Sequence, residues 1–113
     1  MRMSTVVNVC SGIALRPSAG QGGYAASKAG LLALTRVLAQ EVGPSIRVNA
    51  VCPGATDTPF ASGSDHAQLG WLYVLGRVSR PEEQAQVILF LTGAESSFMT
   101  GAALSVDGGR TFH

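Results

Sequence analysis

Charged residues, histidines and cysteines are all scarce in this sequence, and each scarcity argues against a class of function. Charged residues make up 13% of the 113 positions, and the net charge of +1 includes no basic run. Nucleic-acid binding is therefore not expected, because it needs clustered lysine and arginine. Two histidines and two cysteines, without a Cys-x-x-Cys spacing, offer no metal-ligand pattern, so we also expect no metal site.

Long apolar runs are absent as well. No stretch reaches the roughly 20 apolar residues of a membrane-spanning helix, so a membrane partner is not expected. Residues 1–4 lead into a strand-like run without a cleavage-site pattern, from which we expect no signal peptide and a cytoplasmic protein. Cys10 and Cys52 could form a disulfide by count, but a reducing compartment favours two free, buried thiols.

Hydrophobic residues, in contrast, make up 46% of the sequence, which is typical of α/β layers that are buried on both faces. β-Branched runs predict strands at residues 5–10, 45–52 and 102–106. Helices are predicted from about residue 24 to 42 and from about residue 79 to 93. Strands that alternate with helices predict a parallel sheet with helices on its faces and right-handed crossovers, in one small domain.

The first predicted helix is amphipathic. Its apolar stripe has helical spacing and is predicted at Leu31, Leu34, Leu38 and Val42, with Leu32 and Val37 flanking it. Gly43 and Pro44 predict the end of this helix. Ser79 is the predicted cap of the second helix, with Glu82 three residues later.

The carboxyl ends of the predicted strands are the expected place for a ligand, because open parallel sheets bind ligands at that edge. Those ends carry Ser11, residues 53–54 and residues 107–108. Residues 20–25 match the letters G-x-G-x-x-A of a dinucleotide-binding turn, but nine residues separate them from the preceding strand. A turn of that kind must follow its strand directly, so we interpret residues 20–25 as a loop that enters a helix.

Tyr24 and Lys28 are four residues apart and therefore share one face of a helix. A phenol is a poor acid or base at neutral pH, and a nearby ammonium group favours the phenolate. The Ser11 hydroxyl, at the same edge, could hydrogen-bond a carbonyl or alcohol oxygen. Together the three groups predict a proton-transfer site; the alternative for the Tyr-x-x-x-Lys pair alone is a solvated helix face with an extended lysine.

Five stretches occur in an order that is characteristic of one enzyme family. They are residues 6–11, Tyr24-x-x-x-Lys28 with Ala29 and Gly30, residues 47–54 with Thr58, residues 76–83, and residues 100–109. In this set the chain resembles the C-terminal half of the short-chain dehydrogenases/reductases. The resemblance implies that residues 1–113 form part of an NAD(P)-binding domain, with three parallel strands and flanking helices from a Rossmann-like doubly wound sheet.

The resemblance also implies a role for each residue of the predicted site. Tyr24 would exchange a proton with the substrate oxygen, Ser11 would hold that oxygen, and Lys28 would support the tyrosine and bind the nicotinamide ribose. Hydride would pass between NAD or NADP and the carbon of an alcohol or ketone.

The segment after the second strand would contact the cofactor and cover the substrate. Residues 53–54 match the turn that lies along the nicotinamide, with Thr58 a partner of its carboxamide, and residues 55–77 match the substrate lid. Asn8 and Asn49 also fall on family positions, and we expect structural roles for them because buried asparagine side chains usually satisfy backbone groups.

The glycine-rich turn that cradles pyrophosphate in this family has no counterpart in these residues, which leaves two interpretations. In the first, the chain is an NAD(P)-dependent oxidoreductase that interconverts an alcohol and a ketone. In the second, it is a truncated, non-catalytic remnant or an oligomerisation module that cannot bind cofactor alone. A homo-oligomer is expected, because the long helix and the last strand commonly form subunit contacts in the family.

Overall fold

The computed structural model describes residues 4–57 and 70–112 of the chain. These residues form strands and helices in alternating order: β1 (Ser4–Val9), α1 (Gly22–Val42), β2 (Ile46–Pro53), α2 (Pro81–Thr92) and β3 (Ala103–Val106). Short 3-10 turns occur in the connections, at Gly12–Ala14, Gly70–Leu72 and Ala94–Ser96. Every predicted strand and helix is present, with ends one or two residues from those predicted.

The three strands form one sheet in the order β1-β2-β3, and both neighbouring pairs are parallel. Val9 lies opposite Val51, and Pro53 lies opposite Val106. The carboxyl ends of the three strands therefore meet at one edge of the sheet. The predicted α/β class with a parallel sheet and flanking helices is confirmed.

The central strand β2 is the most deeply buried element among the described residues. Ala50, Val51 and Cys52 have no exposed surface. Ala50 and Cys52 pack with Leu32 of α1 on one face of the sheet. Side chains alternate along a strand, so Arg47 points to the opposite face, where it reaches the end of α2. Because helices contact both faces of β2, residues 47–52 are all buried, including the polar residues Arg47 and Asn49.

The buried face of α1 matches the predicted stripe only in part: Leu31 packs against the core, and Leu38 and Val42 are half-buried. Leu32, Thr35 and Ala39 are buried, whereas Leu34 of the predicted stripe is 48% exposed. Thr35 is tolerated in the core because its hydroxyl donates to a carbonyl one turn earlier at 2.8 Å and accepts from Asn8 Nδ2 at 2.9 Å. A search for large apolar residues misses the threonine and the alanine, and it includes Leu34, which lies on the outer face.

The start of α2 also differs from the prediction. Arg80 is the N-cap residue, and its backbone N–H donates to the Glu83 carboxylate at 2.8 Å. The predicted pair of Ser79 and Glu82 is wrong by one position. The Ser79 hydroxyl instead accepts a hydrogen bond from Gln84 Nε2 at 3.0 Å.

Arg47 is a buried cation, 7% exposed, that holds the C-terminal end of α2. Its guanidinium donates to backbone carbonyls at the end of the helix and in the loop beyond it, namely those of Leu91, Gly93, Ser96 and Met99, at 2.8 to 3.2 Å. The last carbonyls of a helix lack partners within the helix and carry partial negative charge. Arg47 therefore supplies hydrogen bonds and a favourable charge at the same place.

Replacing Arg47 with methionine should lower the free energy of unfolding by about 3 kcal/mol or more, because several buried carbonyls lose their donor. Arg47→Lys should restore only part of this, since an ammonium offers three donors without the planar fork of arginine. Urea unfolding followed by circular dichroism measures both effects. Arg36→Met, at an exposed position of α1, is the control and should change stability by less than about 0.5 kcal/mol. Equal stability of the two methionine variants would contradict this role for Arg47.

An ion pair fixes the entry to α2. The Arg77 guanidinium donates to both oxygens of Glu83, at 2.7 and 2.8 Å, and the Arg80 N–H adds a third hydrogen bond. These bonds, with that of Arg77 the strongest influence, lower the pKa of Glu83 from 4.5 to about 2. A carboxyl group whose pKa is depressed in the folded state stabilises the fold while it is ionised.

The contribution of Glu83 should therefore be complete above about pH 4.5 and should disappear as the pH falls from there to about 2. Glu83→Gln should melt at a lower temperature than the wild type at neutral pH, and the difference should shrink in acid. Thermal melts from neutral pH down to about pH 2 test this. Glu82→Gln, at the exposed neighbouring position, is the control. A Glu83→Gln difference that stays constant with pH would show that the ion pair is not its cause.

Candidate functional site

A cleft of about 590 Å³ opens at the edge where the three strands end. Four of the predicted site residues line it: Ser11, Tyr24, Pro53 and Gly54. Lys28 lies next to the cleft, one helical turn beyond Tyr24. Thr58 and most of the predicted lid, residues 58–69, lie outside the described residues. Residues from separate elements therefore converge on one concave surface of a size that suits small ligands.

Ser11 is positioned by the end of β1. Its backbone is extended, with φ −163° and ψ 153°, and it caps the short turn Gly12–Ala14. The Ser11 hydroxyl accepts a hydrogen bond from the Ile13 N–H at 3.3 Å. This bond uses one acceptor position and leaves the hydroxyl proton free to be donated to another group.

Tyr24 is 50% exposed in the first turn of α1. The Lys28 ammonium lies 5.7 Å from the centre of the Tyr24 ring. The same ammonium donates to the Val9 carbonyl at 3.2 Å. That hydrogen bond joins the start of α1 to the end of β1, and so holds a positive charge beside the phenol.

The turn after β2 is shaped by glycine. A Cβ atom on Gly54 would lie 2.9 Å from the Tyr73 ring, 3.1 Å from Asp107 Cβ and 3.2 Å from Asp107 Cα. Such distances are shorter than van der Waals contact allows, and the Asp107 backbone cannot move aside easily. The next residue, Ala55, donates its N–H to the Tyr73 hydroxyl at 2.9 Å. The backbone here can approach neighbouring groups closely because residue 54 has no side chain.

The turn after β3 completes the floor of the cleft. Asp107 is buried, and its carboxylate accepts hydrogen bonds from the Gly109 N–H at 3.1 Å, the Thr111 N–H at 3.0 Å and the Thr111 hydroxyl at 2.6 Å. These bonds hold Arg110 and Thr111 where they line the cleft. The Arg110 carbonyl accepts a hydrogen bond from Arg16 Nη1 at 2.9 Å, which connects this turn to the loop after β1.

Sequence reasoning missed Arg110 and Thr111, which line the cleft. The position of Asp107 at a strand end was a usable signal for these two residues, which follow in the same turn. Tyr73 also lines the cleft; it falls within the predicted lid, residues 55–77, but spacing did not single it out from the rest of that segment.

Cys10 and Cys52 are free and buried, as predicted. They lie at neighbouring positions of β1 and β2 and pack with Leu32 and Ala50 beneath the cleft. Burial raises the pKa of the Cys52 thiol to about 11 and also raises that of Cys10. Thiols of this kind are poor nucleophiles and act as small apolar side chains.

Asn49 and Asn8 have internal partners, in line with the structural roles expected for them. Asn49 Nδ2 donates to the Met99 carbonyl, and its Oδ1 accepts from the Ala102 N–H, both at 3.0 Å. Asn8 Nδ2 donates to Thr35.

In the part of the chain that the structure describes, no three histidine, cysteine or acidic side chains are grouped as metal ligands. No helix of residues 4–57 or 70–112 is long and apolar enough to cross a membrane.

Comparisons with known proteins agree with this geometry. A family model described as Enoyl-(Acyl carrier protein) reductase matches residues 1–111. The 3-oxoacyl-[acyl-carrier-protein] reductase FabG of Chlamydia muridarum is 47% identical over 112 residues, which cover 96% of this chain and 45% of that protein. Cis-4-hydroxycyclohexanecarboxylate dehydrogenase of Sinomonas cyclohexanicum is 44% identical over 110 residues, 94% of this chain and 44% of that protein.

Solved structures give the same result. The ligand-free aldohexose dehydrogenase of Thermoplasma acidophilum superposes with a TM-score of 0.94 at 30% identity, covering 100% of this chain and 50% of that one. The chain belongs to the short-chain dehydrogenase/reductase family, and its fold is the Rossmann-like one expected. It spans about half the length of the curated relatives that it matches.

Gly54→Ala should lower the free energy of unfolding by about 1 to 3 kcal/mol, because the new methyl group overlaps the Asp107 backbone and the Tyr73 ring. Gly30→Ala is the matched control: nothing lies within 4 Å of its Cβ position, and alanine in a helix should be neutral or stabilising. Urea unfolding of both variants measures the difference. A Gly54→Ala protein as stable as Gly30→Ala would show that the turn is looser than described.

Proposed function

We propose that this chain carries the proton-transfer site of an NAD(P)-dependent oxidoreductase that interconverts an alcohol and a ketone. The observation that carries the proposal is the convergence of Ser11 and Tyr24 on one cleft, with the Lys28 ammonium beside the tyrosine ring. The printed names of the relatives, which are reductases and dehydrogenases, support the same class of reaction.

In the proposed mechanism, the phenol oxygen of Tyr24 gives its proton to the substrate oxygen during reduction and takes it back during oxidation. The positive charge of Lys28 stabilises the phenolate that remains, and the Val9 carbonyl keeps that charge in place. The Ser11 hydroxyl accepts a hydrogen bond from the Ile13 N–H, and it donates its own proton to the substrate oxygen. Charge that develops on this oxygen in the transition state is thereby stabilised.

The residues present fit the nicotinamide end of NAD or NADP. The cleft has the volume of a small-ligand site, and Pro53 and Gly54 of the turn after β2 line it together with Ser11 and Tyr24. Pro53, Gly54 and Thr58 would lie along the nicotinamide, and Lys28 and Tyr24 would contact its ribose. When bound, this cofactor supplies or accepts the hydride.

The proposal also includes the class of substrate, the location of the protein and its oligomeric state. We infer a small alcohol or ketone as substrate, a cytoplasmic location and a homo-oligomer. Self-association would cover the outer face of α1, where Leu34 and Val37 are exposed.

A second candidate function is a non-catalytic interaction module. The exposed apolar residues Val6 and Val9 on the edge strand β1 favour it. Titration of NADH and NADPH, followed by nicotinamide fluorescence, distinguishes the candidates. Binding at micromolar levels supports the enzyme, whereas no binding up to millimolar levels eliminates the chain as an enzyme by itself. Size measurement in solution tests self-association, which both candidates include and a monomer contradicts.

Tyr24→Phe should lower kcat for ketone reduction by about 100-fold or more, because the proton donor is lost, while the fold is retained. NADPH affinity should change much less than kcat, since the ring and Lys28 remain. Ser27→Ala is the control: its exposed hydroxyl donates only to the Tyr24 carbonyl of the same helix, and turnover should be unchanged. Steady-state kinetics with a panel of small ketones measures both variants. Turnover of Tyr24→Phe equal to that of the wild type would place the site elsewhere.

A further inference from the structure

Tyr73 lies between the turn that follows β2 and the turn that follows β3. Although it comes from an irregular connection, it is only 8% exposed. Its hydroxyl accepts the Ala55 N–H at 2.9 Å. Its ring occupies the space that a side chain at position 54 would need, and it also lies 3.6 Å from the Cβ position of Gly108. One side chain thus contacts both turns at the floor of the cleft.

The Tyr73 ring also forms a wall between two cavities. On one side is the cleft of about 590 Å³ that contains Ser11 and Tyr24. On the other side is a cavity of about 90 Å³, lined by Asp107 and Ser79 among others. Because Tyr73 lines both, the shape of the cleft at the β2 turn depends on where this ring is held.

The β2 turn is held at Ala55 by two hydrogen bonds from opposite sides. The Ala55 carbonyl accepts from the Ser79 N–H at 3.0 Å, and the Ala55 N–H donates to Tyr73. The Ser79 contact is backbone to backbone and survives a change of side chain. The Tyr73 contact depends on one phenol oxygen, so this half of the attachment can be removed without altering the backbone elsewhere.

We propose that Tyr73 is a positioning residue: its hydroxyl and ring hold residues 53–55 in the shape that lines the cleft, and thereby set the affinity for the nicotinamide cofactor. The second clause rests on the proposed function, in which this turn lies along the nicotinamide. If Tyr73 only filled space in the core, phenylalanine would replace it without effect, because the ring would be unchanged.

Tyr73→Phe tests the first clause through amide hydrogen exchange. The Ala55 amide should exchange about tenfold faster or more in the variant, because its buried donor loses its acceptor. The Ala50 amide in the middle of β2 should be unaffected. Trp71→Phe is the matched control, since Trp71 lies two residues away in the same segment and is 79% exposed. It should leave Ala55 exchange as in the wild type.

Titration of NADPH against the same proteins tests the second clause. The Kd should rise several-fold in Tyr73→Phe and stay unchanged in Trp71→Phe. Unchanged Ala55 exchange in Tyr73→Phe overturns the inference, whatever the cofactor does. Faster exchange with unaltered NADPH affinity overturns the positioning role. A wild-type protein that binds neither NADH nor NADPH eliminates the chain as an enzyme by itself, and the exchange measurement still decides whether Tyr73 holds the turn.

Circular dichroism establishes that Tyr73→Phe is folded before the comparison is made. If this variant does not fold, amide exchange of Ala55 in the wild-type protein tests the inference instead. An Ala55 amide that exchanges at the rate of an open chain in the wild type overturns the inference, and a protected amide supports it.

Discussion

The register of the parallel sheet is the constraint on which the rest of the structure depends. With Val9 opposite Val51 and Pro53 opposite Val106, the ends of the three strands lie side by side. A shift of one residue would turn Cys52 away from α1 and move Gly54 away from Asp107, because side chains alternate along a strand. The burial of both faces of β2 makes such a shift costly. The position of the cleft therefore follows from core packing before any residue of the site is considered.

A second layer of contacts converts this edge into a site. Lys28 and Val9 are 19 residues apart in the chain, and the hydrogen bond between them joins the helix that carries Tyr24 to the strand that precedes Ser11. Helical spacing alone would place a lysine near a tyrosine on many surface helices. This pair differs because the Lys28 ammonium also donates a hydrogen bond to the Val9 carbonyl of the sheet. That bond keeps the positive charge close to the Tyr24 phenol.

The sequence was sufficient to predict the order of elements, their ends to within two residues and the edge at which Ser11 and Pro53 lie. These features depend on local patterns and on a general rule for parallel sheets. The buried face of α1 was predicted only in part, because Thr35 is stabilised in the core by Asn8, a contact between residues 27 positions apart. Tyr73 fell within the predicted lid, but its contacts were not predicted, since its partners lie in two distant turns. Features that depend on such tertiary contacts produce no periodic pattern of residues in the sequence, so spacing does not predict them.

The two ends of β2 use buried polar groups for different purposes. At the amino end, Arg47 attaches a helix terminus and a loop to the sheet through backbone carbonyls. At the carboxyl end, Asp107 and Tyr73 use the same kind of side-chain-to-backbone bond, but the turns they hold form the floor of a cleft. Loops without secondary structure need such bonds because their backbone groups have no ladder partner. The same physical requirement that stabilises the fold at one end of the strand therefore determines the shape of the candidate site at the other.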